Sequence, residues 1–236
     1  MKPGTLYLIP AWLSPDAPPQ AVVPAQVLER IRALDTFIAE DAKSARAWLA
    51  ACGHPKPLRE IAIREYSEHT PEADIDGLLE PLGAGRDVGL MSEAGLPAIA
   101  DPGAPLVAEA HRRGIGVVPL VGPGSIFLAL MASGLGGQRF RFVGYLPAQP
   151  AARRTAIAEL ERQSVRASET QIFIETPYRG DALLADLVAT CKPGTRISVA
   201  VDLTSSGEWI RTDRVEGWRA KPRTIGKNPA IFLLAA

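Results

Sequence analysis

Two carboxylates, two glycines and two prolines crowd one stretch of this sequence, Ser92-Glu93-Ala94-Gly95-Leu96-Pro97-Ala98-Ile99-Ala100-Asp101-Pro102-Gly103. An apolar run at 87–91 leads into it and a helix expected at 105–113 leads out. Loops of this make-up, placed after a strand, are where open α/β folds hold their ligands. Similar Gly/Pro segments recur at 121–125, 144–147, 175–177 and 226–229. Each can present backbone N–H and C=O groups without side-chain obstruction. Turn chemistry accounts for any one of them; their recurrence at strand ends is the signal. Such a set suits a neutral or zwitterionic ligand carrying an adenine and a ribose, whereas phosphates call for a helix N-terminus with Lys or Arg beside it.

Other chemistries lack their signatures. After the first apolar run stands Ile9-Pro10-Ala11-Trp12, not a glycine-rich dinucleotide turn. There is no phosphate-binding G-x-x-x-x-G-K-[ST] loop and no G-x-S-x-G nucleophile elbow. The three histidines, His54, His69 and His111, have no metal-ligand spacing, and no metal is expected. Cys52 and Cys191 are too few for a disulfide framework and fit a reducing compartment. With no secretory signal and no apolar run near the ~20 residues that span a bilayer, a cytoplasmic protein without a membrane partner is expected. The 26 basic and 26 acidic residues balance, so no overall field draws the chain to nucleic acid. Six bases against three acids from Thr204 onward leave room for a local basic face or an ordinary solvated one.

The elements that must position these loops read as alternating strand and helix. Strands are expected at 5–9, 36–39, 87–91, 116–120 and 140–143. Helices are expected from Pro24, at 42–51, from Thr70-Pro71-Glu72 to Leu82, at 105–113 and at 126–133; residues 58–66 are ambiguous. This alternation predicts a mostly parallel sheet covered on both faces. Residues 144–150 read as a linker, after which the pattern restarts: helix 152–163, strand 170–174, helix 179–189, strand 197–201, and β structure at 208–211 and 230–234. The expected architecture is two α/β domains with the ligand cleft between them. The N-terminal domain, 1–146, would hold a mostly parallel sheet and the C-terminal domain, 147–236, a mixed one.

The run from Ser92 to Gly103 resembles the S-D-A-G-x-P-x-I-x-D-P-G motif of the tetrapyrrole methylase superfamily, and most nearly its ribosomal RNA small-subunit methyltransferase I branch. The similarity continues through Glu40-Asp41, Val117 to Pro123, Gly144-Tyr145-Leu146-Pro147, Arg153-Arg154 and Phe173 to Arg179. The resemblance implies an S-adenosylmethionine-dependent methyltransferase, usually a homodimer. Its cofactor would be held mainly by backbone groups of Pro10, Gly95, Leu96, Ile99, Gly124, Ser125, Ile174, Glu175, Pro229 and Ala230. It implies a ribosomal small subunit or rRNA partner, met by Arg153, Arg154 and Arg179, and methylation of a cytidine 2′-hydroxyl. The chain departs from the pattern in several places. Ile9-Pro10-Ala11-Trp12-Leu13-Ser14 stands where the branch has T-P-I-G-N-L, Val201-Asp202-Leu203-Thr204 where it has R-E-L-T, and Tyr178 where it has histidine. The cofactor loops are kept better than the acceptor side.

A methyl on a sulfonium is already activated, so such an enzyme mostly aligns donor and acceptor. A hydroxyl acceptor also benefits from a general base. Glu93, inside the central loop, is the first candidate, followed by Asp101, Glu40 and Asp41. Each has an ordinary alternative: Glu93 and Asp101 can brace the loop or cap a helix, and Glu175 can brace its loop or orient a ribose. Tyr178 can donate a hydrogen bond or simply pack, and the arginines can be plain surface. Two other functions remain open, a methyltransferase of a tetrapyrrole-like small molecule and a non-catalytic S-adenosylmethionine-binding protein.

Overall fold

The computed structural model describes residues 2–236, apart from the side chain of Glu72. Backbone contacts divide the chain into two units, the first ending at Gly124 and the second beginning at Ser125.

In the first unit, short apolar runs form strands and segments of helical period form helices. They are β1 (Thr5–Leu8), α1 (Pro19–Val22), α2 (Ala25–Ala33), β2 (Thr36–Ala39), α3 (Ala42–Ala51), β3 (Ala62–Glu65), α4 (Ile75–Gly83), β4 (Val88–Met91), α5 (Ala104–Arg112) and β5 (Gly116–Pro119). The strands are all parallel, in the order β3-β2-β4-β1-β5. Every residue of β2 and β4 is buried, as strands covered on both faces require. Ile9, Ile31, Phe37, Trp48 and Leu49 build the core under α2 and α3. Leu6, Leu79, Leu82, Leu90 and Leu106 build the opposite core under α4 and α5.

This arrangement creates a crevice. The chain leaves β1 toward the α2–α3 face and leaves the neighbouring β4 toward the α4–α5 face. Adjacent parallel strands whose connections part to opposite faces form the topological switch point where open α/β sheets bind ligands. The loops that begin at Ile9 and at Ser92 flank it.

The expected helix start at Thr70 is instead a 3-10 turn, Glu72–Asp74, and α4 proper begins at Ile75. The first-turn acid expected there, Glu72, has its side chain outside the described residues. Pro81 inside α4 has no N–H for the Gly77 carbonyl, which accepts instead from Arg64 Nη1.

The second unit contains α6 (Ser125–Ser133), β6 (Phe140–Tyr145), α7 (Pro150–Ala167), β7 (Thr170–Glu175), α8 (Gly180–Thr190), β8 (Arg196–Val201), β9 (Trp209–Arg214), α9 (Val215–Ala220) and β10 (Ala230–Ala235). Its sheet runs β6-β7-β10-β8-β9, parallel only between β6 and β7. The core over one face joins α7, α8 and α9 through Ile157, Leu183, Leu187 and Trp218 to Phe173 and Phe232. The last two rings stack at 5.9 Å.

Three expectations are corrected. The boundary expected between 146 and 147 falls between Gly124 and Ser125. Helix α6 packs against β8, β9 and β10, and the Thr212 hydroxyl donates to the Ser133 carbonyl at 2.7 Å, so α6 belongs to the second unit. The expected linker is largely structured: Gly144 and Tyr145 continue β6 past an irregularity in its pairing with β7, and Pro150 opens α7. Helix α9 was not expected because Val215 and Trp218 are its only buried residues, too few for a period to register.

Candidate functional site

Beyond β1 the chain stays tied to the central loop. Ile9 N–H donates to the Leu90 carbonyl at 2.7 Å and Ala11 N–H to the Gly95 carbonyl at 2.8 Å. The second bond belongs to an isolated antiparallel bridge, Ala11 with Gly95, which spans the switch point. Gly95 has φ 71°, a conformation that strains any L side chain. Ala98 and Ala100 take the same left-handed region, at φ 65° and 63°. Two such residues in one loop cost of order 1–3 kcal/mol each, and strain of this kind gathers at functional sites. Between them Ile99 is 44% exposed, while Leu96 is half-buried.

The second Gly/Pro loop closes over the same place. Leu120 N–H donates to the Leu8 carbonyl at 2.9 Å. A Cβ on Gly122 would lie 2.2 and 2.3 Å from Cβ and Cγ of the buried Pro10. Pro10 is therefore the bed for this loop. Gly122→Ala must push the two apart, at a cost of about 1–3 kcal/mol by the usual penalty of overpacking. A thermal melt should show the loss; an Ala variant melting within about 1 °C of the parent would show that the loop yields freely.

At the ends of β2 and β4, Glu40, Glu93 and Asp101 come together. Burial, then the charges of Asp101 and Glu93, push the Glu40 carboxyl above its ordinary value against a hydrogen bond from the Glu93 N–H. Burial also raises Asp101, with the charge of Glu93 adding to it and a hydrogen bond from Ser92 opposing it. Glu93 itself is exposed. A cavity of about 520 Å³ lined by Tyr66, Glu68, Thr70 and Asp101 adjoins the group. Asp41 does not join it: its carboxylate accepts from Ser44 N–H at 2.6 Å as the N-cap of α3, and hydrogen bonds from the Ser44 hydroxyl and then the Ser44 N–H hold it below the usual range.

In the second unit, Ala230 at the start of β10 pairs with Glu175 on one side and Val201 on the other. This register brings Ile174, Glu175, Pro229 and Ala230 to one end of the sheet, where the Pro229 carbonyl accepts from Asp202 N–H at 2.9 Å. Glu175 Oε1 accepts from Thr176 N–H at 2.7 Å and from Arg179 Nε at 2.9 Å. Glu175 Oε2 is buried without a partner, as is Thr204 Oγ1 beyond the end of β8. A buried carboxylate oxygen without a donor is costly, so each such atom requires an explanation. Gly124 and Ser125 are the last and first residues of the two units.

The arginines expected to meet substrate are occupied. Arg153 is 4% exposed and donates from Nε to Asp186 Oδ2 at 2.7 Å and from Nη1 to the Ala148 carbonyl at 3.1 Å. Arg154 donates from Nε to Asp186 Oδ1 at 2.7 Å. Arg153 anchors α7 to α8 from a buried position, which corrects its reading as a phosphate contact, while Arg154 stays 58% exposed. Arg179 is held by Glu175 but keeps part of its side chain exposed. Sequence reasoning missed Asp186, Ser92 and Thr204. Asp186 carried a signal: an acid past the first turn of α8, set among Leu183, Leu184 and Leu187.

Neither cysteine is a usable nucleophile, since burial pushes each thiol up to about 12. Among the described residues, no group of three or more His, Cys, Asp or Glu side chains is arranged to hold a metal ion. No helix among them is long and apolar enough to cross a membrane.

Against known proteins, residues 23–217 match the family described as Tetrapyrrole (Corrin/Porphyrin) Methylases. The chain is 36% identical to "Ribosomal RNA small subunit methyltransferase I" of Xylella fastidiosa, over 88% of this chain and 71% of that protein. It is 34% identical to the protein of the same name from Halalkalibacterium halodurans, over 87% of this chain and 66% of that one. The Pseudomonas aeruginosa protein of that name is 31% identical, over 100% of this chain and 80% of its own length. Among solved structures, the methyltransferase CobJ superposes with a TM-score of 0.64 at 17% identity, over 98% of this chain and 94% of CobJ. Uroporphyrin-III-C-methyltransferase from Thermus thermophilus superposes with a TM-score of 0.57 at 18% identity, over 100% of this chain and 93% of that one. At these identities the structural likeness is one of fold.

Proposed function

The chain belongs to the tetrapyrrole (corrin/porphyrin) methylase family and is a methyltransferase; on that premise we propose that its donor is S-adenosylmethionine and its acceptor the 2′-hydroxyl of a cytidine in small-subunit ribosomal RNA, in the cytoplasm. The observation that carries this reading is the switch point of the first sheet. There a backbone bridge from Ala11 holds the Gly95 loop, and three carboxylates stand at the ends of β2 and β4.

The residues fit the donor. Gly95, Leu96 and Ile99 lie in an uncharged part of their loop, 94–100, in the first unit, and Gly124 with Ser125 offer a second at the boundary. In the other unit, Ile174, Pro229 and Ala230 offer main chain at adjacent strand ends. The buried Glu175 Oε2 lacks a donor, and the ammonium or a ribose hydroxyl of S-adenosylmethionine would supply one. Pro10 serves indirectly, by seating Gly122.

S-adenosylmethionine supplies a methyl already activated on a sulfonium. The chain's part is alignment, which the braced loop serves, and removal of the hydroxyl proton, which falls to the Glu40, Glu93 and Asp101 group. Glu40 and Asp101 are tuned upward, toward the working pH of a base. We carry the homodimer forward as part of the proposal; the exposed Phe127 and Met131 of α6, with Phe140 edge-on to Phe127, support it.

Calorimetry with S-adenosylmethionine, then transfer of a labelled methyl to 30S subunits, tests the whole. Saturable binding and label in the rRNA are expected. No binding would sink the donor; binding with label passing to a tetrapyrrole acceptor instead of 30S subunits would move the substrate to a small molecule. Light scattering on the purified chain decides the dimer.

A further inference from the structure

Tyr178 is the most exposed large side chain among the apolar and aromatic residues described, at 81%. It occupies a position that packing does not explain. It is not itself among the residues assigned to the donor, although the turn that carries it follows directly from Glu175. Its surroundings are cationic: Lys227 Nζ sits 5.8 Å from the centre of its ring. The next residue, Arg179, turns one side of its guanidinium to Glu175 and stays partly exposed. The segment from Lys221 to Asn228 carries Lys221, Arg223 and Lys227 and no acid. The Arg223 guanidinium lies 3.9 Å above the ring of Trp209.

The backbone beneath the ring is pinned. Arg179 N–H donates to the Thr176 carbonyl at 3.0 Å, closing a turn around Pro177 and Tyr178. Asp181, in the first turn of α8, accepts from the N–H groups of Ile225 at 2.7 Å and Gly226 at 3.1 Å. Asn228 Nδ2 donates to the Ile225 carbonyl at 3.0 Å. The first turn of α8, which follows Tyr178, and the loop that carries Lys227 are thus bound to each other, which keeps the two backbones side by side.

We propose that Tyr178, flanked by Lys227 and Arg179, is a stacking platform for an unpaired nucleotide of RNA. A flat exposed ring offers its face to any base, and neighbouring cations follow the phosphodiester chain; together these are the elements of single-strand recognition. An apolar protein partner would leave Lys227, beside the ring, without a role. The proposal deepens the rRNA reading and rests on it for the identity of the natural partner, but the surface can be tested apart from methylation.

The test measures fluorescence anisotropy of a labelled, unstructured oligoribonucleotide with the full chain. Tyr178→Ala should weaken binding by about tenfold and Tyr178→Phe, which keeps the ring, by less than about twofold. Lys227→Ala should weaken binding and lower the slope of log affinity against log salt by about one. Calorimetry with S-adenosylmethionine should give Tyr178→Ala the parent's affinity, which shows that the variant is folded. With 30S subunits, Tyr178→Ala should raise KM and leave kcat unchanged. A parent that does not bind the oligonucleotide, an Ala variant that binds like the parent, or a Phe variant as weak as Ala overturns the platform. If the parent binds through Tyr178 yet transfers no methyl to 30S subunits, the platform stands and the acceptor assignment fails. If it methylates 30S subunits while Tyr178→Ala changes neither binding nor KM, the reverse holds.

Discussion

The Glu40→Gln variant should lose about two to four orders of magnitude in methyl transfer, the range that a positioned general base supplies, while keeping its affinity for S-adenosylmethionine. Three carboxylates share the site, but their surroundings differ. Glu40 receives the Glu93 N–H and is raised by burial and by the charges of Asp101 and Glu93. Glu93 is exposed, and its structural contribution runs through its backbone. Glu93→Gln should therefore cost less than about tenfold, because the N–H that orients Glu40 remains. The pH dependence has a definite sign. A base works when deprotonated, so turnover should rise with pH along a limb set above the ordinary carboxylate range, and the limb should vanish in Glu40→Gln. The folded chain holds the Glu40 proton more tightly than the unfolded chain does. Its ionisation therefore weakens the fold as pH rises through the raised value, and Gln, which removes that charge, should not lower the melting temperature near neutrality. Rate–pH profiles of both variants decide the matter. Full activity in Glu40→Gln with a dead Glu93→Gln would give the base to Glu93, and full activity in both would remove the cluster from the chemistry.

Asp186→Leu should destabilise the fold by about 3–5 kcal/mol, the cost of leaving a buried charge without its partner. The Arg153 and Asp186 side chains are 5% and 7% exposed and approach to 2.6 Å. Leucine there would strand the guanidinium between α7 and α8. A fall of roughly 10 °C in melting temperature is expected, and replacing Arg153 by Met in the same chain should recover most of it. Arg154→Ala should cost under about 1 kcal/mol, because that side chain is 58% exposed. Burial alone would raise the Asp186 carboxyl, but Arg154 and Arg153 outweigh it and hold it below its ordinary value. Its contribution is thus complete above the ordinary carboxylate range and is lost as pH falls through the depressed value. A single Asp186→Leu variant as stable as the parent would mean that Arg153 finds water, and would reopen its assignment to substrate.

Much of the fold was legible because local patterns and tertiary contacts agree. The runs at 36–39 and 42–51 became β2 and α3 at the expected residues, since a continuous apolar run and a helical period both report burial directly. The Ser92 to Gly103 loop was legible for a different reason: its glycines and prolines state a backbone requirement, seen in Gly95 at φ 71°. The boundary between the units was not legible. Gly144 to Pro150 has the composition of a linker, yet strand pairing with β7 holds its first residues, and α6 joins the second unit through contacts with strands far along the chain. Arg153 reads as a surface cation because Asp186, more than 30 residues away, enters its environment only through packing.

The sequence by itself determined the alternation of strands and helices, the central loop and the family, because these are written in local composition, period and motif. Only the tertiary structure decided which strands are neighbours, and with that the switch point between β1 and β4. It also decided that Glu40, Glu93 and Asp101 share one site while Asp41 caps a helix, and that Arg153 serves the core instead of the substrate. Charges and hydrogen-bond donors act through distances of a few ångströms, and a folded chain sets those distances between residues that lie tens of positions apart in its sequence.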